Sequence, residues 1–121
     1  QRAVKIMQEK VDFFKANSGK NSIEYNAISG HLIIINGKQQ ILCQKEDPEF
    51  DIFEVFKVNE EDIRHIRDLL AQTSAQKKEI SLQIMAEVEN KRQMYNLKLY
   101  TLWSPLREDR YIGIVGYFDA I

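Results

Sequence analysis

Apolar and polar residues alternate most regularly in the last third of the chain. Residues 80–88 carry an apolar side chain at every second position, which predicts a half-buried β-strand. The alternation resumes over residues 97–103 and 111–118, with a turn predicted at residues 90–93. Because the connections between these three segments are short, we expect an antiparallel meander.

Residues 3–16 show the spacing of an amphipathic helix that stops at Gly19. The apolar stripe of this helix consists of Val4, Met7, Val11 and Phe14. Ile6 and Phe13 point well away from the stripe, because each residue advances a helix by about 100°. A helix with two apolar stripes has two surfaces to cover, and a partner subunit is one candidate for the second. Packing of the helix under a loop is the alternative.

A second helix is predicted over residues 59–73. Asn59 is a suitable N-cap, and three acidic residues follow it in the first turn, where they suit the positive end of the helix dipole. Its buried stripe consists of Ile63, Ile66, Leu69 and Leu70.

Between the two helices, the apolar run at residues 31–36 predicts a strand. The Asn36-Gly37 dipeptide indicates a hairpin that returns over residues 39–44. A turn containing Pro48 is predicted at residues 46–51. Residues 52–58 are apolar but too short to distinguish a strand from a helical turn. The whole order predicts an α+β fold, in which one antiparallel sheet of about five strands packs against helices on one face.

Composition narrows the class of protein. The chain has 121 residues, one cysteine, two histidines and a net charge of -1, which fit one domain without a disulfide framework or a thiolate zinc site. We expect no nucleic-acid partner, no metal and no direct membrane contact. A cytoplasmic location is expected, within a chain that can itself be part of a membrane-anchored receptor. The N-terminal Gln suggests a piece of a longer protein.

Residues 104–109 (Ser-Pro-Leu-Arg-Glu-Asp) and the strand at 111–121, with its Gly-x-x-Gly and Asp119, resemble the last two strands of a PAS domain. Residues 59–62 (Asn-Glu-Glu-Asp) and the helix after them resemble the long helix of that family, and residues 30–37 resemble its first strand and hairpin. The resemblance implies a flanking dimerisation helix at 1–20 and a sensor domain at 21–121. Ala120-Ile121 departs from the family's Ile-Thr.

The residues of this chain do not fit the cofactors known in that family. A haem ligand on the long helix would be His65, but it lies about 120° from the centre of the buried stripe. His31 begins a strand and reads as an edge residue. The Asn-Cys-Arg-Phe-Leu-Gln string of the flavin photosensors does not occur, and Cys43 reads as a small buried apolar residue. We expect neither haem nor a flavin-cysteine adduct, and no other cofactor is identified.

A cavity between the sheet and the long helix is the candidate ligand site. Its predicted lining is Ile66, Leu70, Leu99, Trp103 and Ile114. The same side chains can instead fill a core, and that alternative is favoured about two to one. The indole N–H of Trp103 needs a partner if it is buried, either a ligand or a backbone carbonyl.

The opposite face of the sheet is predicted to carry an apolar patch that the first helix or a second copy of the chain would cover. The candidate dimer-interface residues are Ile6, Phe13, Tyr100, Leu102, Val115 and Tyr117. A homodimer is therefore expected.

Catalysis has little support in the residues. Glu87 and Glu89 share a strand face, where carboxylates are usually solvated, and Ser104 has no evident base beside it. Gly113 and Gly116 lie inside a strand, where glycine marks close packing or a bend. We expect no enzyme activity in this segment.

The resemblance implies a sensory module of a larger signalling protein. The host would be a histidine kinase, a cyclic-dinucleotide enzyme or a transcription regulator, with an effector domain in the same chain. A small ligand or partner would act by changing the dimer packing. Two alternatives remain: a docking module without a small ligand, and a stand-alone α+β regulatory or immunity-type protein.

Overall fold

A computed structural model describes residues 19–107 and 109–121. Within these residues, the elements follow in the order β1 (Asn21–Asn26), β2 (His31–Ile35), β3 (Ile41–Glu46), α1 (Glu60–Ala71), β4 (Glu79–Val88), β5 (Lys91–Trp103) and β6 (Tyr111–Ala120).

The strands form one antiparallel sheet with the order β3-β2-β1-β6-β5-β4. Each half of the chain is a three-stranded meander, as short connections favour. The pairing of β1 with β6 joins the two meanders, with Ile23 opposite Gly116 and Tyr25 opposite Ile114. The predicted C-terminal meander is confirmed, but its first turn is shorter than expected, because β5 begins at Lys91 directly after a turn at Glu89 and Asn90.

The prediction of a PAS-like sheet of about five strands is wrong. The sheet has six strands, and the missed strand is β1. Its sequence, Asn-Ser-Ile-Glu-Tyr-Asn, contains two apolar side chains between polar ones, which is too short an alternation to recognise. Tertiary pairing makes it a central strand, since β2 and β6 flank it and bury Ile23 and Tyr25 almost completely.

The helix predicted over residues 59–73 is confirmed as α1, which ends at Ala71, but with 12 residues it is a short helix and not the long helix of the PAS family. Asn59 holds the N-cap position, but its side chain does not cap the helix. Its Oδ1 instead accepts a hydrogen bond from Arg92 Nη2 at 3.1 Å. The predicted N-terminal helix, with Ile6 and Phe13, lies outside the described residues.

One face of the sheet is covered by α1 and by the irregular segment 50–58. Ile66 of α1 is fully buried there. The undecided stretch 52–58 forms turns, with a hydrogen bond from Phe56 N to Ile52 O at 3.2 Å. The segment supplies five buried side chains, which are Phe50, Ile52, Phe53, Phe56 and Val58. These side chains belong to the same hydrophobic core as Ile66 of α1.

The strand connections divide the sheet into two ends. At the turn end lie the β2–β3 loop (residues 36–40) and the β4–β5 turn (residues 89–90). At the opposite end, which we call the open end, lie the β1–β2 loop (residues 27–30), the β5–β6 loop and the segment that follows β3. The helix runs between them, since its first residues contact the turn end and its last turn leads into β4 at the open end.

Close packing explains Gly116, as predicted. A Cβ atom there would lie 2.6 Å from Leu99 Cδ2 and 2.7 Å from Lys98 O, which no real side chain tolerates. A Cβ atom on Gly113 would clash with the carbonyl of Tyr25. Both glycines therefore allow β6 to lie tightly against its neighbouring strands.

Candidate functional site

Three of the five predicted cavity residues line a cleft at the open end. Leu70, Trp103 and Ile114 border a volume of about 440 Å³. Ile66 and Leu99 do not border it, because both are fully buried in the core, as the favoured alternative expected. The other residues that line this open-end cleft are Glu49, Phe50, Arg67, Ala71, Thr73, Thr101 and Tyr111.

Four segments meet at the cleft. The last turn of α1 and the residues after it form one wall, and the end of β5 with the start of β6 forms the other. The segment after β3 contributes Glu49 and Phe50. Because all four segments are element ends or chain connections, the cleft depends on how the loops are held.

Asp47 holds the segment after β3. Its side chain is buried and accepts backbone hydrogen bonds from Glu49 N, at 3.0 Å, and from Asp51 N. Its backbone carbonyl accepts a hydrogen bond from the hydroxyl of Tyr25 at 2.7 Å. The predicted turn with Pro48 is thus confirmed, and the buried carboxylate fixes its shape. The Asp-Pro dipeptide was the signal in the sequence for this turn.

The indole N–H of Trp103 is satisfied inside the protein. It donates to Thr101 Oγ1 at 2.8 Å, and that hydroxyl donates to Lys78 O at 3.2 Å. We predicted a ligand or a backbone carbonyl as the partner of this indole N–H group, and the hydroxyl of Thr101 is the partner instead. The ring of Trp103 packs edge-on against Tyr111, with 5.8 Å between ring centroids. Trp103 therefore offers the cleft an aromatic surface rather than a hydrogen-bond donor.

The hydroxyl of Tyr111 differs from that of Tyr25. Tyr111 is 37% exposed, and no residue in the described ranges forms a hydrogen bond with its hydroxyl. Burial of the phenol, with a smaller contribution from nearby Tyr25, raises the pKa of Tyr111 well above the ordinary value of 10.0. At neutral pH, Tyr111 therefore presents a neutral hydroxyl that can donate or accept a hydrogen bond.

A second groove adjoins the cleft. It has a volume of about 320 Å³ and is lined by Tyr25, Ala27, Pro48, Glu49, Phe50 and Tyr111. Three of these residues also line the cleft, so the two volumes share a wall made of Glu49, Phe50 and Tyr111. The concave surface of the open end thus extends from α1 to β1.

Two side chains of opposite charge line the cleft. Arg67 comes from α1 and Glu49 from the segment after β3. Among the described residues, neither forms a salt bridge. The guanidinium of Arg67 lies over the ring of Phe53, 5.3 Å from its centroid, and Phe53 is not one of the residues that line the cleft.

A larger depression lies beside the cleft, on the other side of Arg67. Its volume is about 540 Å³. Charged side chains of both signs form most of its lining, which consists of Asp51, Phe53, Glu54, Lys57, Val58, Glu60, Ile63, Arg64 and Arg67. A small-molecule site is normally apolar with a few polar groups, and the open-end cleft fits that description better.

The groups considered for catalysis are used in structural contacts. Glu87 forms a salt bridge with Lys57 at 2.9 Å, and Glu89 accepts a hydrogen bond from Asn36 Nδ2 at 3.3 Å. The hydroxyl of Ser104 accepts hydrogen bonds from the backbone N–H groups of Leu106 and Arg107.

The histidines and the cysteine lie away from the cleft. His65 is exposed on α1, and His31 is exposed at the start of β2. Cys43 is half-buried at the edge of the core, less buried than predicted. Within residues 19–107 and 109–121, no group of three or more His, Cys, Asp or Glu side chains could hold a metal ion.

The remaining candidate dimer residues lie on the face away from α1. Leu102 is 2% exposed and Val115 is 0% exposed in the single chain, and both lie apart from the main core. Tyr100 and Tyr117 are half-buried, and Lys20 lies 4.3 Å from the ring centroid of Tyr117. A second copy at this face would contact the tyrosines rather than Leu102 and Val115.

Compared with protein-family models, curated proteins and solved structures, the chain matches none of them. The part of the chain that the structure describes contains no helix long and apolar enough to cross a membrane.

Proposed function

We propose that this chain is a non-enzymatic, ligand-sensing module of a larger signalling protein. The observation that carries the proposal is the open-end cleft, whose walls are apolar and aromatic. An arginine, a glutamate and a tyrosine also line it, and among the described residues these three side chains form no salt bridge and no hydrogen bond. Its volume of about 440 Å³ lies in the range of small-molecule sites. The signalling role rests on the sequence resemblance of residues 104–109 and 111–121 to a PAS domain and not on the sheet, which has six strands instead of the expected five.

A ligand in this cleft would touch two parts of the fold at once. Leu70 and Ala71 belong to the end of α1, whereas Trp103 and Ile114 belong to β5 and β6. A ligand that binds one arrangement of these walls more tightly would shift the population toward it. In the proposed relay, that shift reaches a second copy of the chain at the face that carries Tyr100 and Tyr117, and then an effector domain.

A thermal-shift screen with small amphipathic compounds tests the proposal. The variant Ala71→Trp would place an indole in the cleft, and Gln72→Trp is its matched control, because Gln72 is exposed and does not line the cleft. We expect compounds that raise the melting temperature of the wild type and of Gln72→Trp but not of Ala71→Trp. No stabilising compound, or equal effects on all three proteins, would contradict the proposal.

A docking module without a small ligand is the second candidate. It is favoured by Ile28 and Leu106, which are 68% and 70% exposed on the two loops of the open end. This candidate predicts that the thermal-shift screen finds nothing. It also predicts self-association that is lost in Ile28→Glu and Leu106→Glu, as measured by sedimentation velocity.

A further inference from the structure

The face of the sheet away from α1, which we call the outer face, carries two side chains that are buried within a single chain. Val115 is 0% exposed and Leu102 is 2% exposed, and neither belongs to the main core. Neither α1 nor the segment 50–58 buries them, because both pack against the opposite face. The cover on Val115 and Leu102 therefore comes from another part of the same chain.

The strand neighbours of these two residues do not form a sufficient cover. Val115 lies opposite Glu24 of β1 and Tyr100 of β5, which stand beside it and not above it. Leu102 lies opposite Gly113, which has no side chain, and β4 begins opposite Tyr100, so no β4 residue lies beside Leu102. Because side chains stand roughly perpendicular to a sheet, a residue that loses all its exposure needs atoms packed on top of it.

The chain enters β1 at the outer face. Lys20, directly before β1, places its Nζ 4.3 Å from the ring centroid of Tyr117 on this face. Gly19 has a φ of 85°, the left-handed conformation that commonly ends a helix. A Cβ atom on Gly19 would meet nothing within 4 Å, so the glycine is explained by its backbone conformation and not by close packing. The described chain thus starts at the outer face, directly after residues 1–18.

Residues 1–18 have the length and the pattern that a cover for this face needs. The helix predicted over residues 3–16 would span about 21 Å at a rise of about 1.5 Å per residue. Along the sheet, the level of Leu102 lies about 17 Å from the start of β1. The side chains available to cover the outer face are those of the apolar stripe, Val4, Met7, Val11 and Phe14.

We propose that residues 1–18 pack as an amphipathic helix across the outer face of their own chain, with the apolar stripe against Leu102 and Val115. Ile6 and Phe13 point away from that stripe, so they would remain available to a second copy of the chain, beside the half-buried tyrosines of the outer face. This inference does not depend on the open-end cleft. It goes beyond the proposed function by assigning the surface that the proposed relay would cross.

A nitroxide label tests where residues 1–18 lie. The label would be attached to Glu9→Cys in a Cys43→Ser background, because Cys43 is the single cysteine and Glu9 lies opposite the apolar stripe on the predicted helix. We expect the amide NMR signals of residues 100–102 and 113–117 to lose most of their intensity and those of α1 to keep theirs. No loss, or an equal loss on the two faces of the sheet, would overturn the proposal.

A mixed sample distinguishes a cover from the same chain from a cover supplied by a second copy. In this sample, ¹⁵N-labelled protein without nitroxide is mixed with nitroxide-labelled protein at natural isotope abundance. We expect a far smaller loss of intensity at residues 100–102 and 113–117 than in the first sample. An equal loss would show that the N-terminal segment of a second copy covers the face, which would overturn packing within one chain.

Substitutions in the predicted helix give an independent measurement. Val11→Glu would place a carboxylate against the apolar outer face, so the melting temperature of the monomeric chain should fall by about 4 °C or more. Ile6→Glu is the matched control, because it makes the same kind of change away from the apolar stripe, and it should have less than half this effect. Equal decreases in the two variants would contradict the proposal. If Val11→Glu does not fold, the nitroxide measurement decides.

Discussion

The two ends of the sheet differ in how many of their polar side chains form hydrogen bonds within the protein. At the turn end, Asn36 is 5% exposed, and its side chain forms hydrogen bonds with the β2–β3 loop and with Glu89. There Arg92 donates to Lys57 O and to Asn59 Oδ1, which ties β5 to the start of α1. At the open end, three side chains form no salt bridge and no hydrogen bond with any described residue, and these are Arg67, Glu49 and Tyr111.

This difference in hydrogen bonding predicts that the turn end contributes to stability and the open end to binding. Hydrogen-bonded polar groups at the turn end connect the two meanders and connect β5 to the start of α1. The open-end groups that have no partner in residues 19–107 and 109–121 add little to the stability of this part of the chain, and they are the groups that a ligand would contact. We therefore expect substitutions of the hydrogen-bonded groups at the turn end to change stability, and substitutions of Arg67, Glu49 or Tyr111 at the open end to change binding more than stability.

The largest effect is expected from Asn36→Ala. It removes the acceptor of two backbone N–H groups and a donor to Glu89 from a buried site, so it should lower the free energy of unfolding by about 2 kcal/mol. Urea denaturation measures this loss. Asn96→Ala, at an exposed position of β5, is the control and should change stability by less than about 0.5 kcal/mol. Equal losses in both variants would contradict the role of the turn end.

Thr101→Val tests a buried polar pair at the open end. The variant keeps the shape of the side chain but removes the acceptor of the Trp103 N–H group, so stability should fall by about 1 kcal/mol. The emission of Trp103 should also shift, because its hydrogen bond is lost. An unchanged spectrum together with unchanged stability would show that this hydrogen bond is not formed.

A smaller effect is expected for the salt bridge between Lys57 and Glu87 at the turn end. A double-mutant cycle with Lys57→Met and Glu87→Gln should give a coupling of about 0.5 kcal/mol, because the lysine is largely exposed. The coupling should shrink in high salt. Lys38→Met combined with Glu87→Gln is the control pair and should show none. A large, salt-independent coupling would not fit this account.

The smallest effect on stability at neutral pH is expected for Tyr111→Phe, because its hydroxyl has no partner among the described residues. Its pKa is raised in the folded protein, so above pH about 10 the unfolded chain loses this proton first and stability falls as the pH rises. The variant should lose less stability than the wild type across that range, measured by urea denaturation at several pH values. Parallel pH profiles would contradict burial of this phenol.

The sequence predicted the elements whose pattern is long and regular. The alternation over residues 80–88 and 111–118 marked β4 and β6, whereas β1 was missed because only Ile23 and Tyr25 carry its pattern. Its place in the sheet depends on pairing with strands distant in sequence, which no local pattern records.

The cleft was predicted in part for a similar reason. Leu70, Trp103 and Ile114 follow from placing a helix over a sheet, and they do line one cleft. Arg67 and Glu49 could not be recognised, because single charged residues in a sequence usually indicate solvated surface. The place of Glu49 in the lining of the cleft depends on the segment that Asp47 holds.

The most direct test of the central claim is an amide chemical-shift map of the ¹⁵N-labelled protein, titrated with a ligand from the thermal-shift screen. We predict shifts at residues 49–50, 67–73, 101–103 and 111–114, with the turn end at residues 36–40 and 87–92 unchanged. Shifts centred on the turn end, or on the face that carries Tyr100 and Tyr117, would contradict the claim that the open end is the binding site.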